Sequence, residues 1–181
     1  MDNEPSIEHF YILFTHRSNI VVFSKIIDMS DINYWLMKSE PDAYSIETLE
    51  KETETIWDGI RNYQARNFMR KMEIGDQAFF YHSNCKPPGI VGLMEIVGKN
   101  IIDPTQFDEN SKYYDSKSDR SNPRWDCVKV KFLFKSTEII SLQELKSLFN
   151  EEELLVVKKG NRLSIIPVLK KSANLLISKI K

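Results

Sequence analysis

The sequence predicts an α+β domain, in which helices surround a small mixed, barrel-like sheet. Three observations lead there. Three strand-like segments follow one another between residues 77 and 135 with no crossover helix among them, which argues against a doubly wound parallel sheet. Apolar residues make up 41% of the chain and charged residues 28%, the balance of an ordinary globular protein. With 181 residues the chain can bury about 70% of its unfolded surface, so one core suffices without covalent staples.

Taken in order, residues 1–33 hold short apolar bursts, FYILF and IVVF, with neither helical nor strand periodicity. They are read as an N-terminal extension to a domain spanning 34–181. A chain beginning at Met29 is expected to suffice, although IVVF is also suited to add a strand to an open sheet edge. YWLMK (34–38) is a short aromatic-rich apolar run, a buried strand, and Pro41 ends it. Ser45 caps a short helix with Ile46 and Leu49 on its apolar side. Residues 57–59 read as a turn, and Asn62 caps a helix over 63–72.

QAFFYH (77–82) is a strand, followed by a loop held by Pro87 and Pro88. Residues 89–98 are apolar on both faces, with Ile90, Met94 and Ile96 on one side and Val91, Leu93 and Val97 on the other. This is a central strand, and Gly92 leaves room for a close neighbour. The polar connection 103–125 exceeds ordinary loop length, as functional or mobile loops do. VKVKFLFK (128–135) alternates, with Val128, Val130, Phe132 and Phe134 inward. Ser141 and Glu144 form the capping-box pattern of a helix. NRLSII (161–166) is a last short strand, and a basic amphipathic helix follows Pro167 through Leu175, Leu176 and Ile180.

Net charge is −1, so no global field draws the protein to nucleic acid or membrane. Charge is segregated nonetheless. Between Trp57 and Met72, Arg61, Arg66, Arg70 and Lys71 face Asp58 alone, and no acid follows Glu153. Two cysteines, Cys85 and Cys127, fit free thiols. No run of about 18 apolar residues predicts a membrane helix, and no signal-peptide pattern stands out.

The chain lacks the glycine-rich phosphate loops, H-E-x-x-H and the G-x-S-x-G elbow. His82 and Cys85 have a metal-ligand spacing, but a closed zinc site needs four ligands, so no metal or cofactor is expected. What remains is a recognition pocket. Trp57 and Asp58, Lys38 and Ser39 at one strand end, and Tyr81, His82 and Ser83 at another supply an aromatic wall with donors and acceptors. A flipped base requires that combination. Each of these residues also has a plainer reading, with Trp57 and Tyr81 in a core and the arginines on a solvated helix face.

The segments YWLMKSEPDAYSIETL, TIWDGIRNYQARNFMR, GDQAFFYHSN, PGIVGLMEIV, DPTQFD, PRWDCVKVKF, ISLQELK and GNRLSIIPV, in that order, closely resemble the EVE domain family from about Tyr34 to Val168. The resemblance implies a PUA-like fold and non-enzymatic recognition of nucleic acid carrying a modified base, either modified cytosine in DNA or a modified RNA base. Carried over by motif, it makes Lys38, Ser39, Trp57, Asp58, Asn62, Tyr81, His82, Ser83, Arg162, Leu163 and Ser164 the ligand-binding set, with Trp125 a second aromatic. Arg61 and Arg66 are expected on phosphates. The alternative is a small-molecule or nucleotide-binding enzyme using Asp58, Lys38 or His82. A monomer is expected, without membrane partners, nuclear in a eukaryote and cytoplasmic in a bacterium.

Overall fold

A computed structural model describes residues 32–180. The expectations for residues 1–28, including the added strand, lie outside them. The elements run β1 (Tyr34–Ser39), α1 (Ile46–Glu52), β2 (Glu54–Trp57), α2 (Tyr63–Met69), β3 (Gln77–His82), β4 (Gly89–Ile102), β5 (Asp126–Ser141), α3 (Leu142–Leu148), β6 (Ile165–Val168) and α4 (Lys170–Lys179). Short 3-10 turns cover Pro104–Phe107 and Leu155–Val157.

The six strands form one mixed sheet in the order β2-β5-β4-β3-β1-β6. Only β1 and β3 are parallel, and the remaining pairs are antiparallel. The expected barrel does not close among the described residues, because β2 and β6 each pair on one side only. Both edge strands are four residues long, and β6 carries Pro167, which has no N–H to donate and so suits an edge.

Alternation along β1 and β3 sends side chains to two cores. Tyr34, Leu36, Phe79 and Tyr81 join Leu145, Phe149, Ala173 and Leu176, so α3 and α4 cover that face. Trp35, Met37, Ala78 and Phe80 join Ile46, Leu49, Ala65 and Met69, so α1 and α2 cover the other. Burial on both sides explains why these strands read as continuous apolar runs. Buried Asp76 fastens the start of β1: one carboxylate oxygen accepts from the Asn33 backbone N at 3.0 Å, and the other from the Trp35 indole at 2.8 Å.

Ser45, Asn62 and Ser141 cap α1, α2 and α3 as their sequence contexts predict, each accepting from a backbone N–H three residues on. Gly92 does permit a close approach, since a Cβ there would lie 2.7 Å from the Phe134 carbonyl oxygen. Other expectations need correction. Trp57 ends a strand rather than opening a turn, because β2 gains a ladder along Val128–Lys131 of β5. Helix α2 stops at Met69 and continues as tighter turns through Met72. Strands β4 and β5 overrun their predicted ends and pair through several bulges. One bulge, opposite Phe80 and Tyr81, moves Ile90 to the face of Leu93, away from Met94 and Ile96. The last strand begins only at Ile165, because Asn161 folds back, donating to the Leu155 carbonyl at 2.7 Å and accepting from the Leu163 N–H at 2.9 Å.

Candidate nucleic-acid interface

The parallel pairing of β1 and β3 carries both strand ends to one place. Lys38 lies beside Tyr81 and Ser39 beside His82. The Ser83 backbone N–H donates to the Ser39 carbonyl at 2.8 Å, and the Lys38 N–H donates to the Ser164 carbonyl at 2.8 Å. These strand ends thus meet at one edge of the sheet, but alternation divides their side chains: Lys38 and Tyr81 lie on the face covered by α3 and α4, Ser39 and His82 on that covered by α1 and α2, with exposed Arg162 and half-buried Leu163 on the adjoining loop.

His82 is held in one tautomer. Its Nε2 accepts from the Ile46 backbone N–H, the first of α1, at 3.2 Å, which leaves the proton on Nδ1. Partial burial lowers its pKa, so the ring is neutral near pH 7. Burial likewise lowers the Lys38 pKa, and its Nζ stands 5.9 Å from the centre of the Tyr81 ring. Burial, then the Cys85 thiol, pushes the Tyr81 hydroxyl up to about 12. Lys38, Tyr81 and Ser83 also line a cleft of about 340 Å³.

The second group gathers where β2 meets α2. Trp57 is only 6% exposed. Its ring meets Phe80 edge-on at 5.2 Å and Tyr44 at 6.3 Å, while Phe80 meets His82 at 5.4 Å. This ladder of rings connects the two groups, with the buried Trp57 at its base. Asp58, next along the chain, is exposed as a residue, and its carboxyl pKa is raised by desolvation first, then by nearby Asp103, with Arg61 opposing.

The connection 103–125 holds this group in place. Asp103 is wholly buried; one oxygen accepts from the Gly59 N–H at 3.0 Å and from Arg61 Nη1 at 2.7 Å. Arg61 also donates to the Tyr113 and Ile60 carbonyls and the Thr105 hydroxyl. Four of its five N–H donors are thus engaged by protein, and Arg61 braces the loop. Asn62 spends its carbonyl oxygen on the cap of α2. Arg66 donates to the Arg124 carbonyl at 2.7 Å and lies 4.8 Å from the centre of the Tyr63 ring. Trp125 stacks on Tyr63 at 4.9 Å and donates to Asp115 at 2.6 Å, while Arg124 pairs with Asp115 at 3.0 Å.

Asp103, Tyr113, Asp115 and Arg124 were not among the expected site residues. One signal was present: Asp103 before Pro104 is an N-cap with proline in the first turn, and its carboxylate does accept from the Thr105 N–H. Among the described residues, no group of three or more His, Cys, Asp and Glu is placed to hold a metal, and no helix is long and apolar enough to cross a membrane.

Comparison with known proteins agrees with this architecture. The EVE domain model matches residues 33–179. Thymocyte nuclear protein 1 of Rattus norvegicus is 52% identical over 126 residues, covering 64% of this chain and 56% of that protein. The Homo sapiens protein of the same name is 43% identical over 164 residues, covering 81% of this chain and 73% of that one. The chain thus spans little more than half the length of the rat relative. A crystal structure of human THYN1 in complex with 5-methylcytosine-containing DNA superposes with a TM-score of 0.76 at 41% identity, covering 82% of this chain and 98% of that one. Its fold is the PUA-like arrangement that the sequence motifs led one to expect. A model match across nearly all described residues, joined to that shared architecture, places this chain in the EVE domain family.

Proposed function

We propose that the chain is a non-enzymatic DNA-binding module that takes a modified cytosine at the ends of β1 and β3. The observation that carries this reading is the human relative of the same fold bound to 5-methylcytosine-containing DNA. The local chemistry supports it. Ser39, Ser83 and the Nδ1–H of neutral His82 offer short polar groups on a rigid sheet. Asp58 supplies an acceptor, the partner that the cytosine amino group requires in direct readout. Trp57 backs the site through Phe80. Lys38 and Arg162 neutralise charge at the rim. Flipping a base costs a few kcal/mol, which contacts to its edge must offset. In a eukaryotic cell the module acts in the nucleus, as the name of its relatives implies for them; in a bacterium, it acts in the cytoplasm.

Binding to matched DNA and RNA oligonucleotides, with and without a 5-methyl group on one cytosine, tests the proposal. Tighter binding to methylated DNA, lost in Asp58→Asn and His82→Ala, is expected. Equal affinity for both forms would refute base reading. Turnover of a nucleotide abolished by Asp58→Asn would move the function to the enzyme class.

A further inference from the structure

The cleft beside the site has a one-sided charge. Lys38, Lys146, Lys158 and Lys159 line it over a floor of Val156 and Val157, and no carboxylate does. Some lysines elsewhere do have carboxylate partners: Lys99 pairs with Glu73 at 2.5 Å, Lys129 with Glu54 at 2.6 Å, and Lys135 and Lys179 with Glu47 and Glu144. Among the described residues, none of the four cleft lysines has an ion-pair partner. Like charges around a partly desolvated concavity repel one another, so the arrangement is stabilised by an anion within it.

The wall is also built rather than incidental. Lys158 and Lys159 stand on a turn closed by the Asn161 N–H donating to the Lys158 carbonyl at 3.2 Å. Gly160 takes the left-handed conformation at φ 78°, and the side chain of Asn161 ties the turn to Leu155. Lys146 projects from α3, whose first N–H, that of Leu142, donates to the Pro88 carbonyl after the loop from β3. Lys38 stands at the strand end shared with the base site, on the sheet face opposite Ser39 and His82, so a strand that passes this end meets both faces. Burial lowers the Lys38 pKa, as expected of an ammonium that lacks its counter-charge.

We infer that this lysine cleft is a backbone site, gripping successive phosphates of the DNA strand next to the base taken at the ends of β1 and β3; it rests on the DNA-reading function proposed above. The grip carries no sequence information and sets affinity, register and salt dependence. Lysine suits this role because its ammonium is a point charge that follows a moving phosphate, without the fixed fork of arginine.

The test is the triple variant Lys146→Gln/Lys158→Gln/Lys159→Gln, all exposed positions whose loss leaves the core intact. A control, Lys99→Gln/Lys129→Gln/Lys171→Gln, removes the same net charge from lysines that have carboxylate partners. Affinity for methylated and unmethylated duplexes is measured from 50 to 200 mM salt. The slope of log affinity against log salt is expected to fall by about one unit per phosphate-contacting lysine in the cleft variant. For three lysines, this shrinks the loss of affinity across that salt range roughly fortyfold. The slope of the control stays near parental, and the preference for the methylated duplex is the same in all three proteins. A parental slope in the cleft variant, or an equal fall in the control, overturns the inference. A cleft-specific fall without any methyl preference in the parent upholds the backbone site and refutes the base-reading function. Methyl preference with a parental slope in the cleft variant does the reverse, and a parent that binds no duplex refutes both.

Discussion

Asp103→Asn is expected to be among the most damaging single-atom exchanges in the chain. The two carboxylate oxygens of Asp103 accept four hydrogen bonds: from the Gly59 N–H at 3.0 Å and Arg61 Nη1 at 2.7 Å on one oxygen, and from the Thr105 N–H at 2.8 Å and hydroxyl at 2.6 Å on the other. An amide turned either way points its NH₂ at donors. The side chain of Asp103 is 0% exposed and that of Arg61 20%, so the guanidinium keeps its charge with its carboxylate gone. Breaking one side of a buried pair costs about 3–5 kcal/mol, and the partial exposure of Arg61 places this case near the lower end, about 3 kcal/mol. At a urea slope of about 2 kcal/mol/M the unfolding midpoint falls by about 1.5 M with the slope unchanged. The same loss lowers the melting temperature by about 6–12 °C. In a double-mutant cycle with Arg61→Gln the two losses are expected to overlap by about 1 kcal/mol or more, since each change removes the same contact. A midpoint shift below about 0.3 M, or strictly additive losses, would refute the account of this pair.

Gly59→Ala is expected to cost about 1–3 kcal/mol, because φ there is 75° and a Cβ would stand 2.6 Å from the Tyr113 ring. Adding Tyr113→Ala should make the Gly59→Ala step cheaper by denaturant titration, and an unchanged step would exclude the steric clash. Trp57→Ala should lower stability by about 3–5 kcal/mol, since its ring is core to Phe80 and Tyr44, whereas Trp57→Phe should lose far less; calorimetry on both separates support of the fold from contact with a base. His82 has a pKa lowered by burial, so the unfolded chain binds its proton first. Its stabilising effect is complete above the unfolded value of about 6.5 and is lost as pH falls from there through the folded value. Melting curves at pH 7.5 and 5.5 should therefore show a smaller acid loss in His82→Gln than in the parent, and equal losses would contradict a neutral buried ring.

Short-range physics was legible in the sequence alone. Ser45, Asn62 and Ser141 announce their helices because a cap needs one side-chain oxygen and three following residues. The runs 34–38 and 77–82 read as buried strands because they are apolar on both faces, which only a covered central strand permits. The long motifs also identified the family, and with it the PUA-like arrangement. Tertiary structure decided what depends on partners distant in the chain. Strand β2 exists through its ladder on β5, and a bulge opposite β3 reassigns Ile90 to another face; neither leaves a local pattern. Trp57 and Arg61 stand out as ligand groups by residue type, and only the fold shows what else holds them, Tyr44 and Phe80 for the one and Asp103, 42 residues away, for the other. The lysine cleft has no local pattern for the same reason. Lys38, Lys146 and Lys158 belong to three separate segments, and only the fold brings their charges together without carboxylates. A side chain's type states what it can do; the free energy of its surroundings decides whether that capacity is spent inside the protein or left for a ligand.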